Sequence, residues 1–178
     1  MRIFLFGVSQ VGKSTVAKIL AEKLNYKFFD IDMIVIQEYG SLENFQNIYS
    51  NRERRFQKKS NIVLKYKDIF DDFVMAVSPI YSYEVMEELY DEISDDFCFT
   101  LVASPLTIFE RLGFYDEKGH YMEDSEDYKK EHKEAILKSI LNDNFSNNYE
   151  FSFYDSIITD NKTAEEVADY IIEIIKNI

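Results

Sequence analysis

Residues 1–18 read MRIFLFGVSQVGKSTVAK. Arg2 to Phe6 is short and apolar, the composition of a buried strand. Gly7-x-x-x-x-Gly12-Lys13-Ser14 follows at once. A helical period then begins, with Val16, Ile19, Leu20 and Leu24 recurring on one face. A glycine loop between a buried strand and an amphipathic helix is a device for holding phosphate. Gly7 and Gly12 allow backbone angles that bulkier residues resist, so successive N–H groups can turn inward. Those groups and the helix N-terminus would cradle the α- and β-phosphates of a nucleotide. Lys13 would set a point charge on the β- and γ-phosphates, and the Ser14 hydroxyl would ligate Mg²⁺. Gln10, Val11 and Thr15 complete the stretch expected to face the nucleotide. The expected ligands are ATP and Mg²⁺.

YKFFD is a second short strand, and it ends on Asp30-Ile31-Asp32. An open parallel sheet delivers the C-terminal ends of its strands to the ligand crevice. Two carboxylates one residue apart therefore stand beside the phosphates. Asp30 is read as a second Mg²⁺-holding group, and Asp32 as the group that orients an acceptor hydroxyl and takes its proton. A bland reading stands beside this one: Asp32, before Met33, would cap a helix.

The first thirty residues thus form a βαβ unit. Residues 31–67 read as helical with one break at Gly40-Ser41. FVMAV (73–77) and FCFTLVAS are further strands, separated by the acidic helix SYEVMEELYDEI. Pro105 opens a helix at its first turn, where proline fits. Residues 113–127 show no clear period and read as a mobile polar excursion. A helix from Tyr128 to about Asn144 follows, then a strand at 156–159. Thr163 with Glu166 makes a capping-box pattern before the closing helix. Alternating strands and helices predict one α/β domain over 1–178: a three-layer fold with a five-stranded parallel sheet and helices on both faces.

The formal net charge is −13. A uniformly negative field disfavours nucleic acid and anionic membranes as partners. Cys98 is the lone cysteine; set in an apolar run, it reads as a core residue in a reducing compartment. The opening apolar stretch is too short for a signal peptide, and no apolar run approaches the ~20 residues that span a bilayer. A cytoplasmic protein, monomeric or weakly dimeric, is expected. His120 and His132 are too isolated to suggest a metal site.

The glycine loop, its helix and FFDIDMIVIQEYG together resemble the shikimate kinase family, within the P-loop kinase fold. The resemblance implies that Asp30 helps with Mg²⁺ and that Asp32 binds acceptor hydroxyls beside the transferred phosphate. It continues through Gly40-Ser41 and into Glu53-Arg54-Arg55-Phe56, similar to the family's Glu-x-x-Phe-Arg helix. It resumes at FTLVASPLTIFERL, where Arg111 matches an arginine lying against adenine. It ends in YDSIITDNKTAEEVADYII, which puts Asn161 and Lys162 in the adenine-contacting loop. The acceptor region would span about 31–70 and a lid about 113–127.

The departures cluster on the acceptor side. The family holds its substrate carboxylate with arginines, whose planar fork matches a carboxylate with two bonds. This chain has Gln57 where the family's helix has arginine. It has Ser78-Pro79-Ile80 where the family has a glycine triplet, and Ser125-Glu126-Asp127-Tyr128 where a further substrate arginine would stand. The 113–127 segment carries no arginine, so Lys118 and Lys129 are the cations that could approach the phosphoryl group. The basic run Arg52, Arg54, Arg55, Lys58 and Lys59 either grips an anionic acceptor or is a solvated helix face. Arg54 or Arg55 could stand in for the arginine absent at Gln57. Tyr81 and Tyr83 are either a wall over the acceptor or core.

The leading expectation is ATP-dependent phosphoryl transfer to a small-molecule hydroxyl. The alternatives are authentic shikimate phosphorylation, a nucleotide-binding regulatory protein without transfer, and a nucleotide kinase.

Overall fold

The computed structural model describes residues 1–114, 120, 122, 125–146 and 155–177. The chain runs β1 (Arg2–Phe6), α1 (Lys13–Leu24), β2 (Lys27–Asp30), α2 (Ile31–Tyr39), α3 (Leu42–Ile48), α4 (Arg52–Ile69), β3 (Phe73–Ala76) and α5 (Tyr83–Ile93). It continues β4 (Phe97–Val102), α6 (Pro105–Arg111), α7 (Ser125–Glu131), α8 (Lys133–Ser146), β5 (Asp155–Ile158) and α9 (Ala164–Lys176).

The sheet has five strands in the order β2-β3-β1-β4-β5, and every neighbouring pair is parallel. β1 lies at its centre. The chain leaves β1 toward one edge and returns through β3, then crosses to β4 on the other side. The order therefore reverses beside β1, which is where open α/β sheets form their ligand crevice.

Alternation along the strands sorts the core into two. Ile3 and Leu5 of β1, with Val74 and Ala76 of β3, pack against α1, α6, α8 and α9 through Val16, Leu20, Ile108, Ile140 and Ile171. Phe4 and Phe6 of β1, with Phe73 and Met75 of β3, pack on the opposite face. Their partners there include Ile34, Phe45, Phe56, Val63 and Leu89 of α2 to α5. Strands buried on both faces explain why RIFLF and FVMA read as unbroken apolar runs.

The local punctuation follows the sequence. Asn25 closes α1 in the left-handed region at φ 57°. Ser41, Asn51, Ser82 and Ser104 each cap a helix by accepting a backbone N–H. The Thr163–Glu166 capping box is formed in both directions. Two boundaries differ from expectation. Residues 31–67 break twice, because the chain also turns at Tyr49 to Asn51 and Asn51 starts α4 afresh. The helix expected from Tyr128 is two helices, α7 and α8, parted at His132, whose ring stacks on Tyr128 at 4.1 Å.

Cys98 is largely buried beside Ile93 and Asp96, and burial pushes its thiol up, away from reactivity. Most of the 115–124 stretch of the expected lid, Lys118 included, lies outside the described residues. Among the described residues no helix is long and apolar enough to cross a membrane.

Candidate active site

The site begins where β1 stops. Gly7 has φ 129°, and a Cβ placed there would stand 2.4 Å from the Leu101 carbonyl oxygen of β4. Only glycine fits so close to a neighbouring strand. Gln10 (φ 64°) and Gly12 (φ 108°) also take positive φ. The loop thus curls before α1 begins, with Gly12 as the helix N-cap residue. Val11 is buried and fastens the loop to the core.

Lys13 is 8% exposed. Its Nζ donates to the carbonyls of Gly7 and Val8, at 2.9 and 2.8 Å. The lysine therefore closes the loop on itself, with its charge kept at the loop mouth. Ser14 and Thr15 are exposed on the first turn of α1. Ser14 Oγ donates to Asp30 Oδ2 at 2.5 Å, so the two residues expected to share a cation are already in contact. A hydroxyl and a carboxylate oxygen, converging beside a glycine cradle, form a hard-oxygen donor set suited to Mg²⁺.

Asp30 does a second job. Its Oδ1 accepts from the backbone N–H groups of Asp32 and Met33 and caps α2. The helix cap is thus Asp30 rather than Asp32. Freed of that task, the Asp32 carboxylate is half exposed, with Oδ1 3.7 Å from Lys59 Nζ on α4.

Arg111, at the end of α6, ties the phosphate loop to the far side of the site. Its Nη1 donates to the Val11 carbonyl at 3.0 Å and to Thr159 Oγ1 at 2.8 Å, and its Nη2 donates to the Thr159 carbonyl at 2.8 Å. Thr159 is buried where β5 ends, and its own N–H donates to Val102 of β4. Beyond it, Asn161 turns the chain at φ 55°, and Lys162 Nζ donates to the Ile158 carbonyl. Asp160 clasps the start of α6, accepting from the Ser104 N–H at 3.0 Å and the Thr107 hydroxyl at 2.5 Å. The Thr107 and Ser104 hydrogen bonds hold its carboxyl below the usual range. Thr159 and Asp160 were missed by motif reading. The signal available was a threonine and an aspartate at the tip of a strand, in the ligand crevice.

On the other side of the loop the basic run separates into distinct jobs. Arg55 Nη1 donates to the carbonyls of Tyr49 and Ser50, so it seals the α3–α4 turn. Arg52 lies over the rings of Phe56 and Tyr81, 5.3 Å from each centroid. Arg54 and Gln57 are exposed. Tyr81 belongs to the core edge with Phe56, while Tyr83 is exposed and bonds Glu87. The Glu53 carboxylate accepts from the Ser82 hydroxyl, joining α4 to the loop after β3. Ser78, just past the end of β3, is buried, and its Oγ has no hydrogen-bond partner among the described residues. The buried Lys129 Nζ donates to the Glu110 carbonyl and to Glu126.

A parallel sheet in this order, with a glycine loop after its central strand and an acid from the edge strand against the loop serine, defines the P-loop kinase fold. Within that class, the shikimate kinase sequence profile matches residues 9–176, and the chain belongs to the shikimate kinase family. The solved structure of shikimate kinase from Bacteroides thetaiotaomicron superposes with a TM-score of 0.72 at 18% identity, covering 99% of this chain and 98% of that one. Shikimate kinase 2, chloroplastic, of rice is 44% identical over 63 residues, 35% of this chain and 20% of that protein. A shikimate kinase of Azobacteroides pseudotrichonymphae is 38% identical over 72 residues, 38% of this chain and 42% of that protein. The matched stretches thus span well under half the length of these curated relatives.

Proposed function

We propose that this chain transfers the γ-phosphoryl group of ATP to a hydroxyl of a small molecule, and that the molecule is not held as the family holds shikimate. The observation that carries the reading is the contact between Ser14 and Asp30. Asp30, at the end of β2, thus stands against the phosphate loop, with Asp32 two residues further on in α2.

The roles follow from position. The loop N–H groups of 7–13 and the N-terminus of α1 bind the phosphates. Lys13 exchanges its loop carbonyls for phosphate oxygens and stabilises charge on the transferring group. Ser14 and Asp30 would hold Mg²⁺, whose chemistry is to neutralise the β- and γ-oxygens. Asp32 orients the acceptor hydroxyl and takes its proton as the acceptor oxygen bonds to the γ-phosphorus. The bond from that phosphorus to the β,γ-bridging oxygen breaks, and ADP leaves. Arg111, Asn161 and Lys162 frame the nucleotide base.

Gln57 and the Ser78-Pro79-Ile80 stretch support an acceptor other than shikimate. Losing a charged two-bond contact costs on the order of 2 kcal/mol or more when its partner is left buried. ADP release with ATP and Mg²⁺, against sugars, polyols, cyclic hydroxy acids including shikimate, and nucleoside monophosphates, is the test. Acceptor-stimulated release with a hydroxyl compound is expected. No stimulation by any acceptor would overturn the reading, and brisk turnover of shikimate would overturn its second half.

A further inference from the structure

Arg52, Arg55 and Lys59 of the basic run share one face of α4 with Phe56, at helical spacing i, i+3, i+4, i+7. Phe56 is buried against α2, α3 and β3, so this face looks toward the acid-bearing end of β2. Arg55 is committed to backbone carbonyls and Arg52 to aromatic rings. Lys59 alone of the four reaches an acid of the site. Its side chain is 17% exposed, and its Nζ is 3.7 Å from Asp32 Oδ1. Gln57, one residue past Phe56, is exposed and uncharged, so it supplies no cation to Asp32.

We infer that Lys59 positions Asp32 for the acceptor, fixing the carboxylate's direction from α4. The inference rests on the kinase reading above. Three observations carry it. Asp32 makes no helix cap, since Asp30 does, so its side chain has no other tether on α2. A long, largely buried lysine side chain has few rotamers left, so its ammonium is a fixed point rather than a solvated one. The 3.7 Å separation exceeds a direct hydrogen bond of about 3 Å. The pair is therefore held by charge rather than by a closed hydrogen bond, so ammonium and carboxylate both keep bonding capacity for an acceptor hydroxyl. The charges facing the ammonium are Asp32 of α2, Asp30 at the end of β2, and Arg55 of its own helix. Burial is the largest influence on Lys59 and pushes its ammonium below the usual lysine range, with the two carboxylates opposing.

The test is a double-mutant cycle on the full chain with Lys59→Met, Asp32→Asn and both together, plus Lys59→Arg. Each is read by ADP release from MgATP with the best acceptor of the panel, or with water where none is found, and by urea denaturation. Lys59→Met should lower kcat about 10- to 100-fold, as misplacing a reacting group does, with KM for ATP unchanged within about twofold. Lys59→Arg should restore most of the loss. In the Asp32→Asn background, Lys59→Met should cost nothing further. Losses that multiply, or an arginine variant as poor as methionine, would overturn the inference. A wild-type chain that releases no ADP from any mixture removes the kinase reading by itself. The denaturation cycle then still decides whether Lys59 and Asp32 are linked: non-additive unfolding energies keep the link, additive ones end it.

Discussion

The two sides of the phosphate loop are built in opposite ways. On the nucleotide side, Arg111, Thr159, Asp160, Ser104 and Thr107 bond mostly to one another and to the backbone, at 2.5–3.3 Å. These bonds close that side on the protein's own groups. On the acceptor side, the Asp32 carboxylate and Lys59 ammonium stand 3.7 Å apart, Arg52 rests on rings, and Gln57 is exposed. Preorganised groups lose little freedom on binding, so the nucleotide side is suited to one constant ligand. The acceptor-side charges named here make fewer hydrogen bonds than the Arg111 cluster, so substitutions among them break fewer bonds.

Substitutions can sharpen or break this contrast. The largest effect is expected at the hinge of the two sides. Lys13→Met should lower ADP release by about 10³-fold or more, since it removes the charge on the transferring group. Its melting temperature should move by only a few degrees, and a collapse of the fold would show Lys13 to be chiefly a loop clasp. Asp32→Asn comes next, with a kcat loss of about 10²- to 10³-fold. ATP affinity, measured by calorimetry, should hold within about twofold. Equal losses in both would show that the two sides are not separate.

Arg111→Ala should weaken ATP binding about tenfold and leave KM for the acceptor unchanged, the mirror image of the Asp32 variant. The smallest effect is expected at Asp160. Its carboxyl is held low by Thr107 and Ser104, so its stabilising effect is present above the ordinary aspartate value near 4. That effect is lost as pH falls through the lower, folded value. Because the group is only partly buried, Asp160→Asn should cost only ~1 kcal/mol at neutral pH. That corresponds to a fall of about 2–4 °C in melting temperature. The difference from wild type should shrink at acid pH, and thermal scans across pH would show it.

Legibility in the sequence followed the same divide. The phosphate loop was readable because its chemistry needs glycines, lysine and a hydroxyl residue at set spacing. β1, β3 and β4 were readable because burial on both faces leaves continuous apolar runs. The break at Gly40-Ser41, the helix start at Pro105 and the capping box at Thr163 announced themselves by residue type. What stayed hidden depends on contacts distant in sequence. The Arg111–Thr159 bond spans 48 residues and the Arg111–Val11 bond 100, and no local pattern reports either. The sorting of the basic run into Arg55 as a seal and Lys59 as a partner of Asp32 needed the helix placed against its neighbours. The choice of Asp30 over Asp32 as the cap turned on where α2 starts, a difference of two residues. The break at His132 had no glycine or proline to mark it.

The alternation of β1 has a bearing on how this molecule could be altered. Phe4 and Phe6 face one set of helices, and Ile3 and Leu5 the other, with the strand itself as the wall between them. Changes on opposite faces share few neighbours, so their energetic effects should sum rather than interfere. Variants selected for new acceptors among α2 to α5 could therefore accumulate without epistasis from the ATP-bearing half, which makes the wall a natural seam for laboratory evolution.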